Sequence, residues 1–239
     1  MFRTKYVSER SNMYLDKRII IFVGAFGSGK TEIALNYVQM LALQSKRAAI
    51  ADMDIVSPYF RVRDVNEMLI AQGIEVIAPM KELAQADLPT IVPRIQGAFE
   101  ESELHVVVDV GGDNIGATAL GRFSEQLSCL PHELLFVVNT CRPFTQDVFG
   151  IKKMLAMIEK ATHLKATGLV ANSNLGSETK PEIVRNGLSI VQKAAEEIGI
   201  PVVGTAVRKD LITDVGCLDI PIFPITINLL PPWHTNPIT

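Results

Sequence analysis

Short apolar runs rich in β-branched residues recur along the chain, and stretches with apolar residues at three- and four-residue spacing separate most of them. The runs predict strands at 18–23, 48–51, 75–77, 105–109, 134–138, 167–171, 201–205 and 222–226. The helical spacing predicts helices at 30–43, 58–72, 89–99, 117–127, 145–160 and 181–198. Strands alternating with helices imply βαβ units, so the expected fold is α/β with a mostly parallel, doubly wound sheet of about eight strands. Uninterrupted apolar runs such as Ile19-Ile20-Ile21-Phe22-Val23 suit strands buried on both faces. Ser57-Pro58 reads as a helix start and Gly73 as that helix's stop. The stretch 80–93 is the least regular and reads as a mobile loop. Residues 1–16 are polar and aperiodic and read as a flexible leader; residues 17–239 form one domain, with no internal repeat or linker.

The first run leads into Gly24-Ala25-Phe26-Gly27-Ser28-Gly29-Lys30-Thr31, a complete match to G-x-x-x-x-G-K-[ST] between a strand and a helix. Glycines let consecutive backbone N–H groups turn inward on phosphate oxygens, and the helix N-terminus adds partial positive charge. Lys30 is placed to reach the terminal phosphates and Thr31 to ligate Mg²⁺. This chemistry makes the expected fold a three-layer P-loop NTPase. The run His105-Val106-Val107-Val108-Asp109 then ends in a carboxylate and continues into Val110-Gly111-Gly112-Asp113. Asp109 suits the shell of a bound Mg²⁺, and the Gly112 N–H suits a terminal phosphate. Asp113 serves either as a further carboxylate or as a cap for the next turn. In Ala51-Asp52-Met53-Asp54, two acids two residues apart close the strand after the P-loop helix. One suits the metal shell and the other the orientation of an attacking water.

Charge and composition narrow the partners. Lys+Arg number 23 against Asp+Glu 26, a net charge of −3, which provides no general attraction to nucleic acid or to an anionic membrane. Cys129, Cys141 and Cys217 are far apart and lack a Cys-x-x-Cys pair. They read as reduced, buried thiols of a cytoplasmic protein, with no zinc site, disulfide or iron–sulfur cluster. The longest uncharged run, 220–233, contains four prolines and is too short and broken to span a membrane.

Gly24–Thr31, Asp52 and Asp54, Asp109–Gly112 and Leu169-Val170-Ala171-Asn172 together resemble the SIMIBI class of P-loop proteins. Within it the likeness is to the CobQ/CobB/MinD/ParA nucleotide-binding group, with the nitrogenase iron protein and Mrp-type ATPases as relatives. The resemblance covers roughly 17–228. It implies Lys30 and Thr31 as phosphate and Mg²⁺ ligands, Asp52 as a metal-shell carboxylate and Asp54 as the water-positioning acid. It implies Asp109 and Gly112 as a hydrolysis-sensing loop, Asn172 as the adenine reader, and a loop around 206–208 closing over the base. ParA- and MinD-like members carry K-G-G-x-G-K-T, whose first lysine crosses a dimer interface; here Ala25 and Phe26 stand at the first two positions. Arg61, Arg63, Arg122 and Arg142 are the candidate replacement cations. The cluster cysteine of the nitrogenase iron protein has no counterpart near 109–121, and no basic amphipathic tail suits membrane cycling.

The preferred reading is an ATP-binding, Mg²⁺-dependent ATPase switch that signals to a protein partner or works as a homodimer. The alternative is an ATP-dependent synthetase or amidoligase activating a small carboxylate. A GTPase metallochaperone ranks below both, because it needs a His/Cys metal cluster and an N-K-x-D-like guanine motif. A module holding nucleotide only structurally does not need the complete Lys30, Thr31 and acid set.

Overall fold

The computed structural model describes residues 15–54, 62–78 and 88–229. Eight parallel strands form one sheet in the order β3-β2-β4-β1-β5-β6-β7-β8. In chain order they are β1 Ile19–Val23, β2 Ala48–Met53, β3 Glu75–Ile77, β4 His105–Val110, β5 His132–Val138, β6 Gly168–Ala171, β7 Val202–Arg208 and β8 Ile222–Ile225. The helices are α1 Lys30–Leu43, α2 Asn66–Ala71, α3 Leu88–Glu100, α4 Asn114–Gly121, α5 Ser124–Ser128, α6 Val148–Thr162, α7 Pro181–Ile198 and α8 Ile212–Val215. The α/β class and the parallel sheet are those the alternation predicts.

Every residue of β1 is buried, and its side chains divide by parity between two cores. Ile19, Ile21 and Val23 join the larger core beneath α3, α4, α6 and α7. Ile20 and Phe22 join the core beneath α1 with Val107, Ile50 and Tyr37. A period of two in a sheet covered on both faces produces this division. It also sets the chemistry: Phe22, Asp52 and Asp109 are register partners on neighbouring strands, so both acids emerge on the face that carries α1.

The sheet's connections diverge at β1, which lies between β4 and β5. A ligand crevice at the carboxyl ends of the strands is expected at such a switch point, and the P-loop leaves β1 there.

Several boundaries differ from the sequence reading. The expected helix 117–127 is two helices, α4 and α5. Gly121 passes so close to α6 that a Cβ would stand 2.7 Å from the Ala161 carbonyl oxygen, and buried Phe123 anchors the break. Residues 88–93 are helical, so the irregular loop expected over 80–93 does not extend through them. Strand β7 continues to Arg208, because Ala206, Val207 and Arg208 pair with β8; they do not form the expected loop. Helix α6 starts at Val148 behind Asp147, whose carboxylate accepts the Gly150 N–H at 2.7 Å. Cys129 and Cys217 are exposed and Cys141 is half-buried, so the expectation of buried thiols is corrected. Gly73 does stop its helix, with a left-handed φ of 77° and Gly73 N–H and Ile74 N–H bonded back to Ile70 and Leu69. The proposed start at Ser57-Pro58 and most of the leader lie outside the described residues.

Candidate functional site

Gly24, Ala25, Phe26, Gly27, Ser28 and Gly29 link β1 to α1, and α1 opens with Lys30 and Thr31. Gly27 and Gly29 have φ of 73° and 84°, a region closed to most side chains, so the loop can turn its amides inward only with glycine at these positions. Lys30 and Thr31 are buried, at 4% and 8% exposure. Neighbouring strand ends hold the loop from outside. Asn172, just past β6, donates its amide to the Ser28 carbonyl at 2.7 Å. Arg142, past β5, donates its Nε–H to the Gly27 carbonyl at 3.0 Å. Gly112 packs against the loop so closely that a Cβ would stand 2.7 Å from the Phe26 nitrogen.

Below the loop lies the acid cluster. Asp52 is buried and accepts the Asp54 backbone N–H at 3.0 Å. Asp54 is buried beside Gly111, its Oδ1 3.3 Å from where a Cβ at 111 would stand. Asp109 is fully buried, and neither of its carboxylate oxygens has a hydrogen-bond partner among the described residues. Burial pushes the Asp109 carboxyl up to about 7; Asp52 and Asp54 push the same way, and Lys30 and the nearby Thr31 hydroxyl oppose them. An unsatisfied buried carboxylate of this kind is costly on its own and invites a cation. Asp113, by contrast, is spent on structure: it accepts the Gly116 N–H at 2.8 Å and caps α4.

Beside the P-loop opens a cavity of about 600 Å³ lined by Gly29, Ile33, Arg142, Asn172, Arg208 and Ile227 among others. A second, smaller cavity of about 260 Å³ lies behind Gly111 and Gly112, against Met154, Met157 and Ile158.

Residues 19–214 match the CobQ/CobB/MinD/ParA nucleotide binding domain family. The chain belongs to this family. Among curated proteins, RecA of Streptococcus pyogenes serotype M49 is 25% identical over 211 residues, covering 77% of this chain and 55% of RecA. RecA of Streptococcus equi subsp. zooepidemicus is 24% identical over the same coverage. The chain spans about half the length of these curated relatives. Among solved structures, FtsY of Thermotoga maritima superposes with a TM-score of 0.54 at 17% identity, covering 81% of this chain and 63% of FtsY. The signal recognition particle receptor FtsY of Elizabethkingia anophelis, solved with GDP, has a TM-score of 0.53 at 16% identity, covering 81% of this chain and 59% of that one. These structural likenesses agree with the α/β fold and parallel sheet described above.

For this CobQ/CobB/MinD/ParA domain the fold brings together Gly24 to Thr31, Asp52, Asp54, Asp109, Gly112 and Asn172, all at the carboxyl edge of the sheet. Of the candidate cations, Arg142 alone is shown at the P-loop: Arg122 is exposed at the far end of α4, and the side chains of Arg61 and Arg63 lie outside the described residues. Sequence reasoning passed over three contributors. Asn139 is fully buried at the end of β5; its Oδ1 accepts the N–H groups of Cys141 and Asn174 at 3.0 and 3.2 Å, which fixes the turn carrying Arg142. Glu32 and Asn36 follow the P-loop on α1 and hold the chain after β8. Their only signal was polarity on a helix otherwise largely buried. Among the described residues, no three His, Cys, Asp or Glu converge into a metal cage, and no helix is long and apolar enough to cross a membrane.

Proposed function

We propose that this nucleotide-binding P-loop domain is a Mg-ATP-dependent ATPase switch acting on a protein partner. The observation that carries the reading is Asp109, fully buried and facing the start of α1 beside Asp52, with the Thr31 hydroxyl nearby but no well-formed hydrogen bond to either carboxylate oxygen among the described residues. The donor set fits a hydrated Mg²⁺: the Thr31 hydroxyl as direct ligand, with Asp52 and Asp109 accepting from its water shell. Such an ion, when bound, supplies positive charge to the phosphates. Lys30 would bind the terminal phosphates, and the P-loop amides would orient them. Asp54 sits at the junction with Gly111, where it would accept a hydrogen bond from the attacking water and so orient it. Gly112, packed on the loop at Phe26, offers its N–H where a terminal phosphate leaves, which links phosphate occupancy to the position of α4.

The larger cavity supports adenine as the base. Arg142, Asn172 and Arg208 line it with N–H donors. The Glu32 carboxylate is taken by the N–H groups of Asn228 and Leu229, and Asp210 is paired with Arg208 at 2.6 Å. Both bases present acceptors, O6 and N7 in guanine and the ring nitrogens in adenine, but guanine adds adjacent N1–H and N2–H₂ donors that need an acceptor pair, whereas adenine adds N6–H₂ alone. With no free carboxylate lining the cavity among the described residues, adenine is the better complement.

The synthetase reading needs a pocket for a small carboxylate near the γ-phosphate. The cavity behind Gly111 has the right position but holds no Lys or Arg, and carboxylate recognition draws on such cations. The switch is therefore preferred. The test is a panel of ATP, GTP and other nucleotides with Mg²⁺, scored for binding and turnover with and without small carboxylates. Slow ATP turnover indifferent to carboxylates agrees with the switch; turnover that appears only with a carboxylate defeats it.

A further inference from the structure

Helix α1 carries more than the P-loop lysine and threonine. Past β8 the chain leaves the sheet, and its backbone groups have no strand to pair with. Asn36 takes the place of a strand: its Oδ1 accepts the Thr226 N–H at 2.8 Å and its Nδ2 donates to the Thr226 carbonyl at 2.8 Å. One turn earlier, Glu32 Oε1 accepts both the backbone N–H and the side-chain amide of Asn228 at 2.7 Å, and Oε2 accepts the Leu229 N–H at 3.2 Å. One turn later, Gln39 donates to the Asn228 side-chain oxygen at 3.2 Å. Residues at i, i+4 and i+7 share one helix face, so the three make a continuous polar latch.

The latched segment is extended, and Ile225, Ile227 and Leu229 alternate onto the cavity beside the P-loop, where they meet Ile33 of α1. Apolar contact alone holds a segment without fixing its register; directional bonds to a half-buried carboxylate fix it. That carboxylate is an expensive choice. Burial pushes the Glu32 carboxyl up, and the bonds from Asn228, Leu229 and Asn36 pull it back. The latch begins one residue after Thr31.

We infer that Glu32 and Asn36 are positioning residues for the base: they fasten residues 226–229 to the P-loop helix and so set the apolar wall against which the base lies. The inference rests on the nucleotide reading above and names what determines base selectivity at that site. Phosphate affinity belongs to the loop and the start of α1. Base affinity belongs to the segment the latch holds. The two are therefore separable by mutation, even though Glu32 is two residues from Lys30.

The experiment compares Mg-ATP, Mg-GTP and Mg-tripolyphosphate binding to the full chain by calorimetry. Glu32→Ala is expected to weaken ATP about tenfold, the loss of one to two hydrogen bonds to a charged group, and to shrink the ATP-to-GTP ratio. Tripolyphosphate affinity should stay within about twofold, because no base is present to feel the wall. Glu32→Gln keeps an acceptor for the Asn228 N–H and should fall between parent and Ala. Ile227→Ala, at a half-exposed position off α1, should reproduce the ATP loss and spare tripolyphosphate. Equal losses of ATP and tripolyphosphate in Glu32→Ala overturn the inference, since the start of α1 would itself be disturbed. Unchanged ATP affinity in Ile227→Ala overturns it as well, and that variant decides the matter where Glu32→Ala does not fold. A parent that binds tripolyphosphate but neither nucleotide defeats the nucleotide reading itself, a result distinct from either failure of the latch.

Discussion

Replacing Asp109 by Asn should make the ligand-free protein more stable at neutral and alkaline pH, an unusual outcome for a residue at the centre of a site. In the folded chain the Asp109 carboxyl is raised from 3.8 to about 7, first by burial and then by Asp52 and Asp54. A carboxyl raised on folding is favoured by the folded state in its protonated form. Its contribution is therefore complete below about pH 4 and is lost as pH climbs to about 7. Across pH 5 to 8 the linked loss is about 3 kcal/mol for the parent and zero for Asn at that position. For a domain of this length that corresponds to roughly 5–10 °C in melting temperature. The buried Asn carries its own desolvation cost of about 1–3 kcal/mol, but that cost is independent of pH. The difference in pH slope, not the absolute stability, is the measurement. Thermal melts of parent and Asp109→Asn at pH 5 and pH 8, without metal or nucleotide, provide it. Adding Mg²⁺ and nucleotide should flatten the parent's dependence, since a cation favours the ionised acid, and should release a proton detectable in buffers of different ionisation enthalpy. Parallel pH profiles for parent and variant would refute the reasoning: Asp109 would then already be ionised in the empty site.

The remaining predictions concern the phosphates, the water and the base. Lys30→Ala removes the buried cation beside the phosphates and should cost about ten- to a hundredfold in Mg-ATP affinity by calorimetry. Asp54→Ala should keep nucleotide binding and lose about a hundredfold or more in turnover, measured as phosphate release; a variant that turns over like the parent removes Asp54 from the chemistry. In competition binding, ATP should displace a labelled nucleotide at least about tenfold better than GTP, and the reverse order contradicts the donor-lined cavity. Arg142→Ala should slow turnover by about tenfold or more at every protein concentration if its guanidinium replaces the missing lysine from within the chain. A parent rate that climbs with protein concentration would place that cation on a second copy instead.

What the sequence made legible follows from how local each feature is. Helices α1 and α7 begin and end where their patterns predict, because their signals lie within the elements: Gly29 and Lys30 start one, and Pro181 and Gly199 bracket the other. The acids were legible for a similar reason. A β-branched run ending in Asp places that Asp at the carboxyl edge whatever the rest of the fold does. The extension of β7 was not legible, because Ala206 to Arg208 become strand only by pairing with β8. The break between α4 and α5 depends on how closely Gly121 meets α6, which no spacing within 117–127 records.

The division matters for function, because phosphate chemistry is local and base chemistry is not. Eight consecutive residues encode the loop that would hold a triphosphate. The adjoining cavity is assembled from the ends of β5, β6 and β7, the first turn of α1 and a segment that Asn36 reaches across 190 residues of sequence. Arg142 shows the same dependence: it reaches the Gly27 carbonyl because buried Asn139 bonds to Cys141 and to Asn174, closing two loops together. The same Asn139 side chain lies 3.1 Å from the Asn174 carbonyl and 3.5 Å from that of Gly27, so one amide ties the loop after β5, the loop after β6 and the P-loop into one unit. A ligand on the P-loop would thus act on both loops together. In the proposed switch, a change in phosphate occupancy would pass from these tied loops to the surface around Arg142 and exposed Phe144. The loop motif therefore tells that a nucleotide binds, while which nucleotide binds and what reads its state are fixed by contacts between residues more than a hundred positions apart.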